Sequence, residues 1–127
     1  MSVDFKVVPI RPGGMAGDNE PKYYPALTNR KTVDLRKLSQ DMSDKSTLHT
    51  ADIYGVIQML TEIIPKYLQR GHNIKLGDLG TFSLSVRGEG ESEPEKVNSS
   101  NIKEVRMNFR PSRYLKDTLK HTEFKKV

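Results

Sequence analysis

Apolar residues recur along this chain at two periods, and each change of period marks a new element. Ile53, Val56, Ile57, Leu60, Ile63, Ile64, Tyr67 and Leu68 follow the 3.6-residue period and predict one long amphipathic helix. Thr50 is placed to cap it, Pro65 predicts a bend rather than a stop, and Arg70-Gly71 supplies a cation and a glycine at its end. Upstream, Leu35, Leu38 and Met42 share one face of a first helix starting near Thr32 or Asp34, with a polar turn over 43–47.

After Gly71 the period drops to two. Ile74 and Leu76 predict a strand over 73–76. Phe82, Leu84 and Val86 alternate with Ser83, Ser85 and Arg87 and predict a second over 81–87. Gly77 and Gly80 bracket Asp78 and suit a tight turn with positive φ or a close backbone approach. Residues 88–100, rich in Gly, Glu, Ser and Asn, read as a mobile, exposed excursion. Ile102–Arg110 returns as the antiparallel partner, with Val105, Met107 and Phe109 on one face and Arg106, Asn108 and Arg110 on the other. Pro111-Ser112 then opens a short helix with Leu115 and Leu119 inward and Arg113, Lys116 and Lys120 outward.

Residues 1–31 are different in kind. Phe5–Ile10 and Tyr23–Leu27 read as strands on either side of a turn-rich loop, and Pro9 and Pro25 mark both as edge strands. Gly13 and Gly14 have no Gly-Lys-Ser/Thr or G-x-G-x-x-G context, so a flexible loop explains them better than a phosphate cradle. Phe124 and Val127 can close the chain as one more edge strand against this segment. The expected organisation is an N-terminal β extension over 1–31 and a main domain over 32–127, folding as one unit.

Charge narrows the partners. The net charge is +5, and the last 23 residues hold seven Lys and Arg against two acids, which accounts for all of it. Such a basic end suits a polyanion, while a solvated basic surface is the bland alternative. Between Arg87 and Lys96 lie Glu89, Glu91, Glu93 and Glu95, best explained as a solvated hairpin tip rather than acid–base catalysts. With no cysteine, and with His49, His72 and His121 scattered, neither a metal site nor a nucleophilic constellation forms, and neither enzyme nor cofactor is expected. No apolar run approaches transmembrane length and no signal-peptide layout opens the chain, so a cytoplasmic location is expected.

Two motifs join these elements. Leu76–Phe82 is close to an L-x-G-F-G-T-F signature, and Phe109-Arg110-Pro111-Ser112-Arg113-Tyr114-Leu115-Lys116 is close to F-K-P-G-K-x-L-K. In this order and spacing the chain from about Leu35 to Lys120 resembles the HU and integration-host-factor family of bacterial DNA-bending proteins, in an extended variant with extra N-terminal strands. The resemblance implies an α+β fold: two helices, an antiparallel sheet with a long hairpin arm, and a short C-terminal helix. It also implies an intertwined homodimer with a core drawn from Ile53, Val56, Ile57, Leu60, Ile64, Phe82 and Phe109.

The implied activity is sequence-nonspecific binding of double-stranded DNA by a nucleoid-associated architectural protein, with no membrane or small-molecule partner. Carried over by position, the DNA-binding residues are Arg87, Lys103, Arg106, Arg110, Arg113, Lys116 and Lys120. Pro94 stands near the place of an arm-tip wedge. Glu93 and Glu95 flank that proline where the family has basic residues, and carboxylates near phosphates repel. The alternative is an HU-like assembly module whose acidic arm contacts protein and whose N-terminal strands pair with a partner's sheet edge.

Overall fold

The computed structural model describes residues 1–11 and 20–127, so the centre of the N-terminal loop, with Gly13 and Gly14, lies outside the described residues. In chain order the elements are strands β1 (Val3–Ile10) and β2 (Lys22–Leu27), helices α1 (Leu35–Asp44) and α2 (Thr50–Gln69), strands β3 (Ile74–Leu76), β4 (Gly80–Gly88) and β5 (Ile102–Pro111), helix α3 (Arg113–Leu119) and strand β6 (Phe124–Lys126). The fold is mixed α+β, with two three-stranded sheets among the described residues. It forms two compact units: Met1–Asp34 with Thr118–Val127, and Leu35–Asp117.

The first unit is the sheet β2-β1-β6. The last residues of the chain add a parallel strand to β1, held by Val3 N–H donating to the Glu123 carbonyl at 2.8 Å and Val127 N–H to the Phe5 carbonyl at 3.0 Å. Pro25 lies on the edge strand β2, as expected, but β1 is central. Pro9 is tolerated because β6 pairs only with Val3–Phe5, leaving the Pro9 end of β1 one free side. The turn after β2 is fixed by Asn29, which adopts φ 55° and donates from Nδ2 to Asp4 Oδ2 at 3.0 Å.

In the second unit α1 and α2 pack together, and α2 also touches β3 and β4. The long helix buries Ile53 and Leu68 (4% and 3% exposed), with Ile57, Leu60 and Ile64 half-buried between them. It runs through Pro65 and ends in a Schellman motif: Gly71 N–H donates to the Leu68 carbonyl and His72 N–H to that of Tyr67, with Gly71 at φ 84°. Thr50 is the first helical residue rather than the cap, a position taken by His49 without a side-chain bond. The inward face of α1 is Leu35, Ser39 and Ser43, not Leu35, Leu38 and Met42. Ser39 is fully buried and its hydroxyl donates to the Leu35 carbonyl at 2.8 Å. A small, self-satisfied side chain allows close approach to another helix where leucine would hold it away. Leu38 and Met42 stay exposed, as do Val56, Met59 and Ile63 on the far side of α2.

The sheet β3-β4-β5 is antiparallel and carries the long hairpin. Its apolar face pairs Ile74 with Phe82 and Phe82 with Phe109, then Leu84 with Met107 and Val86 with Val105. The Phe82 and Phe109 rings lie 4.9 Å apart, tilted by 45°. An apolar cleft of about 390 Å³ opens where this face meets α2, lined by Ile57, Leu60, Ile64, Leu76, Leu79, Phe82 and Met107 among others. The 88–100 excursion has more internal structure than its composition predicts. It holds two 3₁₀ turns, Pro94–Lys96 and Ser99–Asn101, the second closed by a capping box between Asn98 and Asn101. Asn101 Nδ2 also donates to the Glu89 carbonyl at 3.0 Å and to Glu91 Oε1 at 3.1 Å, tying the two sides of the excursion together.

Candidate nucleic-acid interface

The second face of the hairpin sheet gathers polar side chains because the period-two alternation leaves them no alternative. Its register runs Lys75–Thr81–Arg110 across three strands, then Ser83–Asn108, Ser85–Arg106 and Arg87–Glu104 along the arm. Thr81, Ser83 and Ser85 are half-buried in the middle, with the long cationic side chains exposed around them. Residues two apart on a strand are separated by about 6.8 Å, so the row from Arg110 to Glu104 is about 20 Å long.

Gly80 builds the base of this face. Its φ is 152°, and a Cβ there would stand 2.4 Å from the Arg110 carbonyl oxygen and 2.8 Å from the Phe109 ring. Only glycine lets β4 and β5 close at that point, which sets Thr81 opposite Arg110. Ser112 then locks the start of α3 onto the Leu76–Gly80 turn. Its N–H donates to the Leu79 carbonyl at 3.1 Å, its hydroxyl donates to the Asp78 carbonyl, and the same oxygen accepts from Leu115 N–H at 3.2 Å. A cup of about 380 Å³ forms there, with Lys75, Arg110 and Arg113 contributing its cations and Asp78 on its wall.

The expected cations are thus only partly assembled. Arg87, Arg106 and Arg110 share the polar face, and Arg113 adjoins its base. Lys103 falls at an irregularity in the β4–β5 register, where Arg87 pairs with Glu104 and Gly88 with Ile102, and it lines a shallow depression with Arg87, Gly88, Glu89 and Glu104. Lys116 is exposed on α3, while Lys120 follows that helix and groups with the other unit. Leu115 is half-buried as expected, but Leu119 is 65% exposed. Lys75 was missed by the sequence reading. Its signal was the alternation Ile74-Lys75-Leu76, which turns the lysine away from the apolar face.

Ion pairs divide these cations further. Arg106 is held by Glu104 through two contacts, Nε to Oε1 at 3.0 Å and Nη2 to Oε2 at 3.1 Å. Arg113 Nε lies 3.8 Å from Asp117 Oδ2. Among the described residues Lys75, Arg87 and Arg110 have no ion pair. Pro94 is the first residue of its 3₁₀ turn, spanned by a Glu93–Lys96 pair at 3.9 Å. The described residues contain no cluster of metal-ligating side chains and no helix long and apolar enough to cross a membrane.

Comparison with known proteins follows the same line. A family described as an HU domain fused to wHTH, Ig, or glycine-rich motif matches residues 1–126. Among solved structures, a Bacteroides vulgatus protein provisionally described as a bacterial DNA-binding protein is similar, with a TM-score of 0.66 and 12% identity. The likeness covers 98% of this chain and 48% of that one, so the chain spans about half the length of that neighbour. At this identity the likeness is one of fold. No curated protein matches the chain.

Proposed function

Because the chain belongs to the family of HU domains fused to wHTH, Ig, or glycine-rich motifs, we propose that it binds double-stranded DNA without sequence preference, as a nucleoid-associated architectural homodimer in the cytoplasm. One observation carries this reading: Lys75 and Arg110 stand in register at the base of one sheet face, with Arg87 further along it, separated by short polar side chains. Cations spaced along a strand suit phosphates rather than base edges.

The experiment is a salt titration of binding to random duplex DNA, read by fluorescence anisotropy. Lys75 and Arg110, the two cations at the base of the face that have no ion pair among the described residues, should give a log–log slope of about −2 per protomer, at about 0.9 per phosphate neutralised. Absence of binding at low salt rejects the reading and favours the assembly module, which draws support from the four glutamates in the internally bonded excursion.

The homodimer rests on the second stripe of α2. Val56, Met59 and Ile63 of α2, and Leu38 and Met42 of α1, are large apolar side chains that stay exposed in the single chain. A glutamate at Ile63, 46% exposed in the single chain, should change the stability of an isolated monomer by no more than about 0.5 kcal/mol yet abolish dimerisation. Sedimentation of the wild-type protein as a stable monomer at micromolar concentration would refute the dimer.

A further inference from the structure

We propose that Glu104 acts as a built-in stand-in for phosphate, holding Arg106 out of DNA contact and confining the duplex to the base of the hairpin sheet. This rests on the DNA-binding reading above. Glu104 lies on the polar face, two residues from Arg106 along β5 and directly across from Arg87 on β4. Its two oxygens accept from Nε and Nη2 of Arg106 at 3.0 and 3.1 Å. That side-on, two-point geometry is the one by which a guanidinium grips a phosphate, so carboxylate and phosphate compete for the same donors.

The consequence is a graded surface. At the base, Lys75 and Arg110 share a face with no carboxylate in their register row. Further out, the single negative charge of Glu104 is set against both Arg106 and Arg87. The pair is about half exposed, so it is a weak latch that a neutral side chain would release rather than a structural bond whose loss would unfold the arm.

The test compares Glu104→Gln with the wild-type full chain on random duplex DNA across a salt series, with thermal melting to confirm an unchanged fold. Gln keeps the shape and removes the charge. The variant should bind about two- to fivefold more tightly, the range expected from freeing one exposed ion pair, and its slope should steepen by about 0.9 as one phosphate contact is added. Arg106→Ala in the wild-type background should lose well under one unit of slope, because Glu104 already holds its guanidinium, and in the Glu104→Gln background it should erase the gain.

An unchanged affinity and slope for Glu104→Gln would overturn the proposal while leaving DNA binding intact. So would a full unit of slope lost by Arg106→Ala alone, since Arg106 would then already be on DNA. A gain that survives Arg106→Ala would show general charge removal and also overturn it. If the wild-type chain fails to bind at low salt, the DNA reading fails for that chain. Binding regained by Glu104→Gln would then support Glu104 as the block, and no binding by either would reject both ideas.

Discussion

Replacing Gly80 by alanine tests the backbone geometry on which the candidate interface is built. Two costs are expected. At φ 152° a residue with a Cβ is strained by about 1–3 kcal/mol. The added atom would also stand 2.4 Å from the Arg110 carbonyl oxygen and 2.8 Å from the Phe109 ring. The backbone oxygen cannot swing aside as a flexible side-chain end would, and such overpacking costs about 1–3 kcal/mol more. Gly77→Ala is the internal control. Its φ is 48° and open space surrounds its would-be Cβ, so it should lose only the left-handed term, about 1–2 kcal/mol. Urea denaturation at fixed protein concentration separates the two. With a slope of about 2 kcal/mol/M, Gly80→Ala should lower the midpoint by about 1–3 M and Gly77→Ala by about 0.5–1 M. The Gly80 variant should also weaken DNA binding, because Arg110 is held in place by the strand closure that the new Cβ would push apart. Equal midpoints for the two variants would refute the claim that close approach, rather than φ alone, demands glycine at position 80.

At the arm, converting Glu93 and Glu95 to lysine should strengthen nonspecific DNA binding, with each new phosphate contact adding about 0.9 to the slope. Both residues are exposed, so stability should move by no more than about 0.5 kcal/mol. Lower affinity with an intact dimer would instead assign the acidic arm to a protein partner. Lys75→Ala should reduce the salt slope by about one unit, and equally for unrelated sequences. A sequence-dependent loss would mean that bases are being read near the cup.

Much of the architecture was legible because strong periodicity leaves few alternatives. The Ile53–Leu68 stripe and the alternation over 82–86 and 105–109 identified α2, β4 and β5 and assigned their faces. The Leu-Gly-Asp-Leu-Gly and Phe-Arg-Pro-Ser motifs located the turn and helix start that Ser112 joins. What escaped depends on neighbours rather than on local pattern. The inward face of α1 is set by how closely it approaches α2, so Ser39 and Ser43 displace Leu38 and Met42. Phe124 and Val127 did announce a last strand against the N-terminal segment, but not that it would pair with β1 and make that strand central. Composition marked residues 88–100 as mobile, whereas Asn98 and Asn101 give them internal bonds that composition alone cannot show. At the interface, strand parity was sufficient to include Lys75, whereas Lys103 sits at a register irregularity that alternation alone does not show. The Glu104–Arg106 pair required side-chain geometry.

The distribution of charge along the hairpin argues against a uniform grip on DNA. Its base carries Lys75 and Arg110, which have no ion pair among the described residues, its middle the latched Arg106, and its end four glutamates with Lys96 paired to Glu93. A proline entering the minor groove from this arm would carry Glu93 and Glu95 toward the phosphates on either side. At about 5 Å in water each such encounter costs about 0.8 kcal/mol, and more once solvent is displaced. Two carboxylates per arm and two arms in a dimer would raise that to roughly 3 kcal/mol before any unstacking energy is counted. Pro94 already has a local role as the first residue of a 3₁₀ turn, where its fixed φ and missing N–H are assets. The physical balance therefore favours a duplex seated on the base of the sheet, with the arm ends held away from the phosphate backbone and left available for a partner that is not an anion.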